Sequence, residues 1–103
     1  MVGLSVGTTR LVDHIFVKSD VEEAVRLLET ECADNLPLIH APNPEGLERI
    51  RFAAIRSSGG DLQKLRQMID LAKLDWRDLL IGAGFGDSIQ AHQEWAAELI
   101  GSD

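Results

Sequence analysis

Cys32 is the only cysteine among the 103 residues. An intramolecular disulfide is therefore excluded, and so is the disulfide framework by which small secreted domains offset a thin core. Long apolar runs are missing too. Nothing approaches the roughly 18 residues a membrane helix needs. The opening Met1-Val2-Gly3-Leu4-Ser5-Val6-Gly7 has neither a basic stretch nor a long apolar core, so no signal peptide is expected. The cytoplasm is the expected compartment, reached by exclusion. Positive charge is scarce: ten Lys and Arg stand against 17 Asp and Glu, a net charge of -7. General nucleic-acid binders concentrate positive charge to displace counterions from phosphates, so the composition argues against that class.

Apolar residues make up 45% of the chain and charged residues 26%, the balance of an ordinary soluble globular domain. Enough apolar surface exists to offset the entropy of ordering. One domain over 1–103 is expected, with residues 1–7 the stretch whose order the pattern leaves open. Its stability should be of the usual size, about 5–15 kcal/mol. The charge is uneven. Residues 1–48 hold three bases and nine acids, 49–77 seven bases and three acids, and 78–103 five acids and no base. Such a chain neutralises itself on folding or presents one basic face to an acidic partner.

The apolar period is helical and strand signals are almost absent. Thr8 or Thr9 can cap a first short helix carrying Leu11, Val12, Ile15 and Phe16; a strand through 15–17 is the alternative. Ser19 and Glu22 form a capping-box signature for a helix over 20–32, with Val21, Ala24, Val25, Leu28 and Cys32 on one face and Glu22–Arg26 as an i,i+4 pair. Residues 33–43 read as a loop, broken by Pro37 and Pro42. Asn43 and Pro44 open a helix to about Ser57 that is apolar on most sides, the expected centre of the bundle; Gly59-Gly60 ends it. Asp61 caps a helix over 61–73 with Leu62, Leu65, Met68, Ile69 and Ala72 inward. Asp75 caps another over 76–83 with Trp76, Leu79, Leu80 and Ala83 inward, stopped by Gly84. Asp87 and Gln90 cap a last one carrying Ile89, Trp95, Ala96, Leu99 and Ile100, ending at Gly101. The expected fold is all-α, a compact bundle of four to five short amphipathic helices plus a short N-terminal one.

The run from Arg51-Phe52-Ala53-Ala54 through Ser58-Gly59-Gly60-Asp61-Leu62, Lys64-Leu65-Arg66, Ile69 and Leu71-Ala72-Lys73 to Asp75-Trp76-Arg77-Asp78-Leu79-Leu80 and Ala83-Gly84-Phe85 is similar to a set of small bacterial proteins. They share a helix–GGD–helix–DWRDLL–AGF arrangement and have no established activity. The resemblance covers residues 47–97. It implies a small helical cytoplasmic domain and carries no catalytic or binding residue over.

Chemistry is hard to find in the residues themselves. His14, His40 and His92 fall in three predicted elements, without metal-ligand spacing, and Cys32 with His40 makes only two ligands. No metal, cofactor or catalytic residue is assigned. His92, among Ile89, Trp95 and Ala96, is expected to be a core imidazole hydrogen-bonded to a carbonyl or carboxylate. Cys32 is expected to be a buried, inert thiol, with Glu29 and Glu31 opposing any thiolate. Gly59-Gly60-Asp61 reads as a C-cap followed by an N-cap, not a phosphate loop. The pair 61–73 and 76–83 has helix-turn-helix form, yet the second helix offers a DNA groove only Arg77. Arg51 falls on an apolar face and should be a buried ion pair, with Asp75 or Asp78 as carboxylate. Trp76, Phe85 and Trp95 are expected to cluster.

These features point to a non-enzymatic interaction or regulatory module whose partner is another protein. Arg49, Arg56, Lys64 and Arg66 are the candidate interaction surface, and homo-oligomerisation is open. The alternative is nucleic-acid association through the basic 49–77 segment, with affinity falling steeply with salt.

Overall fold

Helix formation follows the caps and the apolar period closely. A computed structural model of the chain describes residues 4, 6–32, 44–85 and 90–100, with the side chains of 44–47 left aside. The described residues contain five helices and no strand: α1 (Val6–Ile15), α2 (Lys18–Glu31), α3 (Pro44–Ser58), α4 (Leu62–Gly82) and α5 (Ala91–Ile100). The expected loop at 33–43 with Asn43, the Asp87 cap with Ile89, the end at Gly101 and the order of residues 1–3 and 5 lie outside the described residues.

The first stretch is a helix, not a strand. Leu11 and Val12 are fully buried, and the amide of Phe16 closes the last turn onto the Val12 carbonyl at 2.9 Å. Phe16 then turns into the core, 4% exposed. That leaves only Phe16 and Val17 between α1 and α2, so α2 begins earlier than the capping-box signature predicts. Val17 is its N-cap, without a side-chain cap bond, and Ser19 sits inside the helix. The expected Glu22–Arg26 pair is also replaced. Arg26 binds Glu23, one turn away at i,i+3.

α3 is the centre. Residues 50–55 are all buried, none above 3% exposed. A helix buried on every side must be covered all round. α3 packs on α1, α4 and α5, while α2 packs on α1 and α4. Its end is built as the sequence predicts. Gly59 and Gly60 both have positive φ, 60° and 89°. Gly60 is required twice over, because a Cβ there would stand 2.8 Å from the Ile15 carbonyl oxygen. Asp61 then caps α4, its Oδ1 accepting the Lys64 amide at 3.1 Å.

α4 contains the two helices read at 61–73 and 76–83, joined across a kink at Asp75 (φ -157°, ψ 90°). The Asp75 Oδ1 accepts the amides of Arg77 and Asp78 at 3.2 and 3.3 Å, so the second half is capped as expected. Leu65, Ile69 and Ala72 bury the first half; Leu79, Leu80 and Ala83 bury the second half and its end. Gly84, at φ 83°, ends the helix.

Candidate functional site

Three of the four bases nominated as an interaction surface turn back onto the protein. Arg49 donates from Nη2 to the Phe85 carbonyl. Arg56 holds its guanidinium 5.3 Å from the Phe85 ring centre and 5.4 Å from that of Trp95. Such a cation–π stack stabilises by about 0.5–1 kcal/mol at an exposed site. Arg66 donates to the Glu23 carboxylate at 3.0 Å, across from α4 to α2. Lys64 is exposed in the first turn of α4.

Glu23 is the hub of the α2–α4 seam. Its hydrogen bonds and charge contacts with Arg26 first, then Arg66, hold its carboxyl down at about 2 despite some desolvation. At the end of α2, Glu31 accepts from Lys73 at 2.6 Å, and that bond lowers its pKa. A shallow groove of about 300 Å³ runs along this seam between Arg26, Glu31, Arg66, Asp70 and Lys73, floored by Leu27 and Ile69. Both charge types line it, and the ion pairs within it compensate one another.

Arg51 is buried, 2% exposed, as its position in the apolar period predicts. Its Nε donates to the Cys32 carbonyl at 2.9 Å. That carbonyl is at the C-cap of α2, where helix carbonyls lack intrahelical partners and a cation is favoured. Asp75 and Asp78 are exposed, and the Asp75 carboxylate is turned onto its own helix. Beside Arg51, the Cys32 thiol is fully buried, and desolvation pushes it up to about 12 despite the nearby cations. A thiol so placed is not a nucleophile at neutral pH.

His92 is fully buried on α5. Its Nε2 lies 3.3 Å from Glu48 Oε1 on α3, and its ring meets Phe52 edge-on at 5.2 Å. Phe85 and Trp95 complete the nest, 5.7 Å apart. The expected aromatic cluster is therefore Phe52, Phe85, His92 and Trp95. Trp76 stands outside it, half-buried, with the Arg77 guanidinium 5.4 Å from its ring centre. His14 is exposed on α1 and His40 lies outside the described residues. No group of three His, Cys, Asp or Glu able to hold a metal ion occurs among the described residues. No described helix is long and apolar enough to cross a membrane.

The surface feature that the sequence reading missed is on α4. Leu74 is 83% exposed and Ile81 67%. Leu74 immediately precedes the Asp75 cap. Such a residue often packs on the fourth residue of the helix it introduces, here Leu79, but Leu79 is sealed in the core at 1% exposure. Ile81 points away from the inward set Leu79, Leu80 and Ala83. The signal is present in the sequence as two aliphatic residues, Leu74 and Ile81, off the apolar face. No family model matches the chain, and neither does any curated protein or solved structure.

Proposed function

We propose that the protein is a non-enzymatic interaction module that binds another protein, and that the exposed second half of α4 is its contact surface. The observation that carries this reading is the exposure of Leu74 and Ile81 beside a well-packed core. Burying such side chains against a partner supplies the apolar centre that protein interfaces use. This replaces the basic surface of Arg49, Arg56, Lys64 and Arg66 as the proposed contact. Arg49, Arg56 and Arg66 already serve the fold, and turning them outward would forfeit those contacts. The same engagement weakens the rival reading of nucleic-acid association through 49–77, since a phosphate would compete with Phe85, Trp95 and Glu23 for the same cations.

The test is a pull-down of tagged protein from lysate of its own host, with and without nuclease. The proposal expects one stoichiometric protein that survives nuclease treatment. Recovery of nucleic acid, or retardation of RNA or DNA by the purified protein at low salt, would promote the rival. Capture of nothing beyond background would sink the proposal.

A further inference from the structure

The largest side chain that α5 buries completely is an imidazole. Among the described residues of α5 only His92 and Ala96 are buried; Trp95 and Ile100 are half-buried and Leu99 is exposed. α1, α2 and α4 each bury at least two aliphatic side chains. The His92 ring sits edge-on to Phe52 at 5.2 Å and to Phe85 at 6.3 Å. α5 packs on α3 and α1. From α3, Glu48 Oε1 stands 3.3 Å from Nε2, longer than the roughly 2.7–2.9 Å of a charge-assisted N–H···O bond. Arg56 lies over the Phe85 and Trp95 rings, Arg49 is bound to the Phe85 carbonyl, and Arg51 is turned to the Cys32 carbonyl. From α1, Arg10, Asp13 and His14 are exposed, as are Glu94 and Glu98 on α5 itself. The Glu48 carboxylate favours a proton on His92. Complete burial among aromatic rings and the permanent charges of Arg49 and Arg56 oppose it.

We infer that His92 makes the docking of α5 sensitive to acid: the helix docks with a neutral imidazole and is released when that ring takes up a proton. The neutral ring donates from Nε2 to Glu48 and presents no charge to the aromatic nest. An imidazolium there would be a buried ion among hydrocarbon, and water solvates it far better. Docked α5 therefore binds fewer protons than released α5. Docking is then strongest above the ordinary imidazole range near about 6.5 and weakens as pH falls through it. With one proton taken up per release, the change is about tenfold between pH 7.5 and 5.5. Release uncovers Phe52 and Phe85, whose rings α5 covers with His92 and Trp95. The α2–α4 seam stays closed in this window, because the Glu23 carboxyl is held at about 2 and keeps its charge.

The test is hydrogen exchange of the isotope-labelled full-length chain, followed by NMR and corrected for the intrinsic rate at each pH. Protection of the α5 amides 95–100 should fall about tenfold between pH 7.5 and 5.5, while that of α3 and of the first half of α4 holds. His92→Phe keeps an aromatic ring and takes up no proton, so the fall should vanish in it. Glu48→Gln should keep the fall, because docking of a neutral ring does not need the carboxylate charge. Where a variant fails to fold, the ring signals of His92 in the parent decide. They should be those of a neutral imidazole at pH 7.5 and change together with α5 protection, with the exposed His14 as reference in the same spectra. Constant or rising protection of α5 on acidification would overturn the inference, as would an imidazolium at His92 in the docked helix. An equal fall in all five helices would reduce the effect to general acid destabilisation and overturn it too. So would a fall that persists in His92→Phe or vanishes in Glu48→Gln, which would place the sensor elsewhere.

Discussion

The two halves of α4 differ in where their polar surface is satisfied. Before Asp75, Arg66 and Lys73 reach across to Glu23 and Glu31 and tie α4 to α2. After it, Asp78, Ile81 and Gly82 face solvent, and Arg77 is occupied with its own neighbour Trp76. Both halves bury an apolar side of the same kind, Leu65, Ile69 and Ala72 in one and Leu79 and Leu80 in the other. The core therefore does not distinguish them. The lesson is that the outward side separates an element that closes the fold from one with surface left for something else.

Substitutions along α4 can break or sharpen that contrast. The largest effect belongs to the inner side of the second half. Leu79→Ala is expected to cost about 2–5 kcal/mol, the range for truncating a fully buried leucine. Chemical denaturation measures it, and a cost near zero would mean that this half does not pack as described. Removing the cap between the halves comes next. Asp75→Ala deletes the acceptor of two amides and should cost about 0.5–2 kcal/mol, while Asp75→Asn should retain much of the cap.

A smaller, pH-dependent effect tests the first half. The Glu23 carboxyl is held at about 2 against an ordinary 4.5. A carboxyl with a depressed folded pKa contributes stability that is complete above its unfolded value and is lost as pH falls through the folded one. The parent should therefore melt above Glu23→Gln at neutral pH, with the gap closing between about 4.5 and 2 and shrinking in high salt. A gap independent of pH would show that the ion pairs to Arg26 and Arg66 are not its source. The smallest expected effect is on the outer side. Leu74→Gln and Ile81→Gln should each shift stability by no more than about 0.5 kcal/mol, as for surface sites without structural contacts.

Much of the fold was legible because several local signals agreed. Gly59-Gly60-Asp61 is a stop followed by a cap, and Asp75 caps where it was read. The buried Arg51 and His92 followed from their angles on apolar faces. What failed depended on tertiary constraint. The Ser19–Glu22 capping box is locally sound, yet the burial of Phe16 shortens the connection and starts α2 at Lys18. Arg26 chose Glu23 over Glu22 because Glu23 also meets Arg66 from another helix, which no local spacing reveals. The intramolecular contacts of Arg49, Arg56 and Arg66 were hidden for the same reason: Phe85, Trp95 and Glu23 are distant in sequence and adjacent only after folding.

The most direct measurement compares capture by the parent and by Leu74→Gln/Ile81→Gln from the same host lysate, quantified by mass spectrometry. If the second half of α4 is a docking surface, the parent recovers a stoichiometric protein and the equally stable double variant loses it. Equal recovery by both would place the contact elsewhere and contradict the account.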